Sequence, residues 1–191
     1  MKLILASKSP RRREILGAMG YTFDIVTADC DENVGEGIRP REAVELLARR
    51  KGEAVALANG YDADPEVVVL SSDTLVDLDD VALGKPVDGE DAMAMLRALS
   101  AKVHYVHTGV ALRCGGRVVS GVATTAVVFR ALTEEEMRAY VNSGEPMDKA
   151  GAYGIQGGAG KFVEKIEGDF DTVVGLSSAL VKELMMKISE V

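Results

Sequence analysis

The sequence predicts an α/β fold built on a mixed sheet. Strand-like and helix-like segments alternate along its 191 residues. The Val-Val-Val-Leu run within residues 66–72 has the unbroken apolar character of a central strand. Two long strand-like runs, residues 103–113 and 117–129, are joined by Cys114-Gly115-Gly116, which reads as a tight hairpin. A hairpin brings antiparallel pairing into a sheet that the alternation would otherwise make parallel.

Each element has a local reason. Residues 3–6 form a short apolar run stopped by small polar residues, so they read as a strand. Pro10 suits the first helical turn, Ser9 is a plausible N-cap, and residues 11–19 put Ile15 and Leu16 on one face before Gly20. Residues 23–26 read as a strand leading into an acidic loop, 29–36. Pro40 opens a second helix with Val44, Leu47, Ala48 and Val55 at helical spacing, stopped by Asn59-Gly60. The strand over 66–72 is followed by a hairpin over 74–83 that turns at 77–81. Residues 89–99 place Ala92, Met95, Leu96 and Leu99 inward. Thr133 with Glu136 three residues on marks a helix start, and that helix runs to Asn142. A glycine-rich segment spans 151–160. A strand over 162–166 and a closing helix over 177–190 complete the chain.

Hydrophobic content of 47% with 27% charged residues is ordinary for a soluble globular protein. The length suits one domain with a sizeable core, or two small lobes sharing a sheet. No apolar run approaches the roughly 20 residues of a membrane helix. The N-terminus shows no signal-peptide pattern, so a cytoplasmic location is expected. Cys30 and Cys114 suggest buried free thiols rather than a disulfide framework or a zinc site. A net charge of −8 argues against general nucleic-acid binding but leaves room for a small polyanion at a local basic cluster.

Such a cluster opens the chain. The first thirteen residues carry five positive charges and no acidic side chain. A strand, a Ser-rich turn and a helix N-terminus place free backbone N–H groups beside Arg11, Arg12 and Lys8, a combination that binds phosphate. A solvated basic turn would carry the same residues. Asp29, Asp31 and Glu32 form an acidic loop, and for Asp31 and Glu32 taken alone a solvated surface is the better reading. Ser71-Ser72-Asp73-Thr74 is expected at the end of a central strand, where an acid commonly holds a divalent cation or acts as a base. A turn-capping role for Asp73 is the structural alternative. Lys85 can reach a phosphate as a point charge, or be an ordinary loop lysine. The glycine-rich segment matches neither the Walker loop nor the dinucleotide fingerprint. Its backbone could approach a planar base, with the Gln156 amide reading the base edge and Tyr153 forming a wall. The only histidines, His104 and His107, are expected on one face of a strand, and without nearby cysteines they are weak evidence for a metal. Together these groups suggest a nucleotide hydrolase in which a divalent ion neutralises pyrophosphate and helps generate hydroxide.

Seven motifs, in order, resemble the Maf family of nucleoside triphosphate pyrophosphatases. They are Ser7-Lys8-Ser9-Pro10-Arg11-Arg12, Asp31-Glu32, Lys51, Ser72-Asp73-Thr74, Gly84-Lys85-Pro86, the stretch from His104 to Gly109, and the stretch from Asp148 to Gly157. The resemblance covers nearly the whole chain and implies one Maf-like nucleotide pyrophosphatase domain over residues 1–191. It implies a fold like that of the inosine triphosphate pyrophosphatases: an elongated mixed sheet flanked by helices, with two lobes and a cleft. It implies hydrolysis of a nucleoside triphosphate to the monophosphate and pyrophosphate with Mg²⁺ or Mn²⁺, in the manner of nucleotide pool sanitation. Asp73 matches the family's proton acceptor. Ser7, Arg12, Lys51 and Lys85 match positions lining the phosphate site, and Glu32, with Asp73, matches the acidic metal side. Arg11, Thr74 and Gln156 match the branch acting on dTTP and UTP; the branch acting on 7-methyl-GTP carries a Glu-bearing last motif. A pyrophosphatase for modified nucleotides and a non-catalytic nucleotide-binding regulator of cell division are the alternatives. A homodimer is compatible with the family. Ala101 stands where the family usually has Gly, and Ser177 where it usually has Pro.

Overall fold

The computed structural model describes residues 1–35 and 37–190. Glu36, the last residue of the expected acidic loop, lies outside the described residues. In chain order the elements are β1 (Lys2–Leu5), α1 (Pro10–Ala18), β2 (Asp24–Ile25), α2 (Pro40–Ala58), β3 (Val67–Leu78), β4 (Val81–Leu83), α3 (Gly89–Leu99), β5 (Val103–Cys114), β6 (Arg117–Phe129), α4 (Glu134–Asn142), three 3₁₀ turns within residues 145–162, β7 (Val163–Glu167), α5 (Phe170–Val174) and α6 (Ser178–Ser189).

One seven-stranded mixed sheet has the order β2-β1-β3-β5-β6-β7, with β4 pairing β3. Pairing is parallel from β2 through β1 to β3 and antiparallel from β3 onward. The strands β3, β5 and β6 are 12, 12 and 13 residues long, far beyond the usual length of about 5–6, so they run through both lobes. Among the described residues no helix is long and apolar enough to cross a membrane.

The pattern of β3 explains the lobes. Side chains alternate faces along a strand. Val68 and Leu70 join a core with Leu16 of α1 and Val181, Leu184 and Ile188 of α6. Val76 and Leu78, on the same face, join a second core with Met93, Leu96 and Leu99 of α3 and Met137 and Tyr140 of α4. Between them the same face carries Ser72 and Thr74, which no apolar layer covers. On the opposite face Val67 and Val69 pack against Val55 and Ala56 of α2.

Most caps follow the local sequence. Ser9 accepts from the backbone N–H of Arg12, Asp88 caps α3, and Thr133 with Glu136 forms a reciprocal capping box on α4. Four expectations need correction. The central strand does not stop at Ser72: β3 continues to Leu78, and its turn narrows to Asp79 and Asp80, both with positive φ. Asp73 is therefore mid-strand. The strand expected over 23–26 shrinks to two residues. The short helix α5 was not anticipated, because five residues give too little periodicity to read. His104 and His107 are an odd number of residues apart and so lie on opposite faces. His104 is buried against Phe129 and Tyr153, whereas His107 bonds to Asp77 and Thr124.

Candidate active site

The cleft forms where β3 has lost a neighbour. Pairing with β1 ends at Leu70 and pairing with β4 begins at Val76. Residues 71–75 thus pair only with β5 on their other edge. A cavity of about 1010 Å³ opens there, between the two lobes. Arg11, Arg12, Glu32, Lys51, Asp73, Thr74, Lys85 and Gln156 all line it. These residues come from six separate parts of the chain.

One side is a chain of charges. Helix α2 lies so close to β3 that a Cβ on Gly52 would fall 2.6 Å from the Ser71 hydroxyl. That approach, with Ser71 Oγ donating to the Ala48 carbonyl at 2.6 Å, sets Lys51 beside Asp73. The Lys51 ammonium bridges Asp73 Oδ1 and Glu32 Oε1, the latter at 2.8 Å. Burial pulls the Lys51 pKa down, but Asp73 and Glu32 outweigh it, and the ammonium ends above the ordinary lysine value. Hydrogen bonding and attraction from Lys51 hold Glu32 below the usual glutamate range. Among the described residues no third His, Cys, Asp or Glu joins these two carboxylates as a potential metal ligand. Asp31 instead accepts from the Asn33 backbone N–H at 2.9 Å and does not line the cavity, as expected of a loop acid.

Arg12 is held without a carboxylate. Its Nε donates to the Gly175 carbonyl at 2.8 Å, and its terminal nitrogens donate to Ser7 Oγ and Thr74 Oγ1 at 3.3 Å each. Burial lowers its pKa against the opposing pull of Asp73, yet a guanidinium stays charged. Ser7 is buried, does not line the cavity, and accepts from Arg12. Thr108 donates to the Thr172 carbonyl at 2.7 Å, so in the 2.9 Å pair with Thr74 it is Thr74 that donates. Thr74 can then accept from Arg12. The Gly175 carbonyl, just after α5, also accepts from Ser72 at 3.1 Å. The polar break in β3 is thus closed by α5. Gly175 went unread because a backbone carbonyl leaves no mark in a side-chain motif.

The opposite rim is backbone. Residues 154–157 form a tight turn closed by Gly157 N–H donating to the Gly154 carbonyl at 3.1 Å. Gln156 sits in this turn with its side chain exposed to the cavity. Tyr153 walls the cavity, but its hydroxyl turns away to His104 Nε2 at 2.8 Å. Gly151 N–H donates to the Gly84 carbonyl at 3.0 Å, tying the glycine-rich segment to the residue before Lys85. Lys85 makes no ion pair with a described residue.

A family model described as Maf-like protein matches residues 2–188. The chain belongs to the Maf family. Three relatives are each named dTTP/UTP pyrophosphatase. One from Desulfitobacterium hafniense (strain Y51) is 49% identical, over 95% of this chain and 82% of its own length. One from Vibrio cholerae is 47% identical over 97% of both. One from Geobacillus sp. (strain WCH70) is 48% identical over 96% of both. A solved Staphylococcus aureus Ham1 protein is 13% identical with a TM-score of 0.48, covering 68% of this chain and 72% of that one, too loose a likeness to bear on the site. The two departures of this Maf-family chain have structural counterparts. Ala101 holds φ +56, a conformation that glycine adopts more readily. Ser177 caps α6 by accepting from Leu180 N–H and donates to Asp169 at 3.1 Å.

Proposed function

We propose that this protein is a nucleoside triphosphate pyrophosphatase that converts dTTP and UTP to the monophosphate and pyrophosphate. The observation that carries the reading is the cleft itself. Arg12, Lys51 and Lys85 surround Asp73 at the open edge of β3, and Gln156 faces them from the opposite rim. Three cations suit a triphosphate; one amide-bearing turn suits a base. The names of the relatives support the substrate pair.

In this reading Asp73 accepts the proton of the water that attacks the α-phosphorus, while the bond to the bridging oxygen breaks and pyrophosphate leaves. Lys51 fixes Asp73 through Oδ1, and Oδ2 has no hydrogen-bond partner among the described residues. Arg12 presents its guanidinium in one orientation because three acceptors hold it. Lys85 supplies charge from a flexible stem. Glu32 and Asp73 fit a Mg²⁺ or Mn²⁺ ion, since two carboxylates are what such an ion takes from a protein when substrate phosphates complete its shell. When bound, the ion would neutralise phosphate charge and acidify a water. The Gln156 amide offers a donor and an acceptor to the O4 and N3–H edge of thymine or uracil. Its rotation would also suit cytosine, so the preference rests on the relatives.

The test is a pyrophosphate-release screen over canonical and modified triphosphates with Mg²⁺ or Mn²⁺. The expected result is a higher kcat/KM for dTTP and UTP than for CTP, dATP or GTP, eroded in Gln156→Glu. A purine triphosphate or 7-methyl-GTP as best substrate would remove the assignment to this branch.

A further inference from the structure

The turn that carries Gln156 is stapled at both ends by one pair of side chains. Gly154 N–H, at its start, donates to the Tyr140 hydroxyl at 3.0 Å. Gly158 N–H, just after it, donates to Glu145 Oε2 at 3.0 Å. Tyr140 closes the circuit by donating to Glu145 Oε1 at 2.9 Å. The fit is tight: a Cβ on Gly157 would lie 2.0 Å from Glu145 Oε1. Among the described residues the carboxylate pairs with no cation; Lys149 donates instead to the Glu145 backbone carbonyl and to Asp148. The Tyr140 ring is anchored in the core beneath α4, 4% exposed and edge-on to Phe162. A rigid core residue thereby sets the position of an otherwise exposed turn.

We propose that Glu145, with Tyr140, is the positioning residue for base selection: it holds the turn at residues 154–157 so that the Gln156 amide meets the pyrimidine edge in one register. This rests on the pyrophosphatase reading with Gln156 at the base. The chemistry calls for a carboxylate. Both groups that reach it are donors, an N–H and an O–H, and each carboxylate oxygen accepts. An amide would turn its NH₂ towards one of them. A loosened turn lets the amide wander, and misplacement on the scale of 1 Å is enough to cost large factors in rate.

The experiment compares kcat/KM for UTP, CTP and GTP in the wild type, Glu145→Gln, Glu145→Ala and Tyr140→Phe, with thermal melts to confirm folding. The preference for UTP should fall by about tenfold in Glu145→Ala, through KM more than kcat, with partial retention in Glu145→Gln. Tyr140→Phe keeps the ring in the core and removes only the hydroxyl, so it tests the staple even if Glu145 variants fold poorly. A double-mutant cycle with Gln156→Ala should be strongly non-additive, because the staple acts through Gln156. A wild type that selects UTP and folded variants that select it equally well would overturn the proposal alone. A wild type without pyrophosphate release, or without base preference, would overturn the underlying functional reading as well.

Discussion

The two rims of the cleft are organised by different forces. At the rim proposed to hold phosphate, Lys51 is held by ion pairs to Glu32 and Asp73, and Arg12 by the Gly175 carbonyl just after α5. At the base rim, one polar side chain rides on a glycine turn whose backbone N–H groups are held by Tyr140 and Glu145. Charge acts over distance and tolerates small displacements, whereas reading a base edge by hydrogen bonds does not. The contrast suggests that the first rim sets rate and affinity for any triphosphate and that the second sets which base is accepted.

The largest expected effect breaks the phosphate rim. Asp73→Asn keeps the shape and removes the base, so turnover should fall about 10²-fold or more for every triphosphate, with the base ranking intact. Steady-state kinetics on a folded variant checks it, and near wild-type turnover would remove Asp73 from this role. Arg12→Ala comes next. It loses charge-assisted hydrogen bonds worth about 1.5–3 kcal/mol to a phosphate, again without changing the ranking. Unchanged dTTP and UTP binding and turnover would make the basic turn a solvated face.

The base rim has a pH-sensitive support. Burial lowers the pKa of His104 from 6.5 to about 4, and its Nδ1 has no partner among the described residues. The unfolded chain takes up this proton near pH 6.5 and the folded chain does not, so stability is fully present above pH 6.5 and declines as pH falls towards 4. One proton over this window lowers stability by about 2 kcal/mol between pH 7.5 and pH 5. Denaturant unfolding at several pH values should show this slope in the wild type and a flatter one in His104→Gln. The smallest effect lies outside both rims. Ala101→Gly relieves a left-handed alanine and should stabilise by about 1 kcal/mol, raising Tm by about 2–4 °C with kinetics unchanged. A lower Tm would show that Ala101 is not strained.

How much of this was legible follows from the kind of signal each part leaves. The caps at Ser9 and Thr133 and the long hairpin are local, and the structure keeps them. The polar interruption at Ser72-Asp73-Thr74 was also visible, yet it read as a strand end. It is a strand middle because the Gly175 carbonyl, a hundred residues away, accepts from Ser72, while Thr74 pairs with Thr108 of β5, which in turn donates to the Thr172 carbonyl. Ser7 was matched to the phosphate site, and in the structure it accepts from Arg12, a contact that spacing does not carry. Glu145 escaped notice because its partners are a backbone N–H and a tyrosine hydroxyl rather than a charge.

By itself, the sequence determined the α/β class, the extents of the helices other than α5, and the residue types at the cleft, since caps, periodicity and family motifs are written in neighbouring residues. Only the tertiary structure decided that β3 loses β1 before it gains β4, that α5 seals the gap, and that Lys51 stands between Glu32 and Asp73. The physical reason is that an open strand edge and a bridging ammonium are properties of chain segments far apart in sequence, which acquire a relation only when both cores have packed.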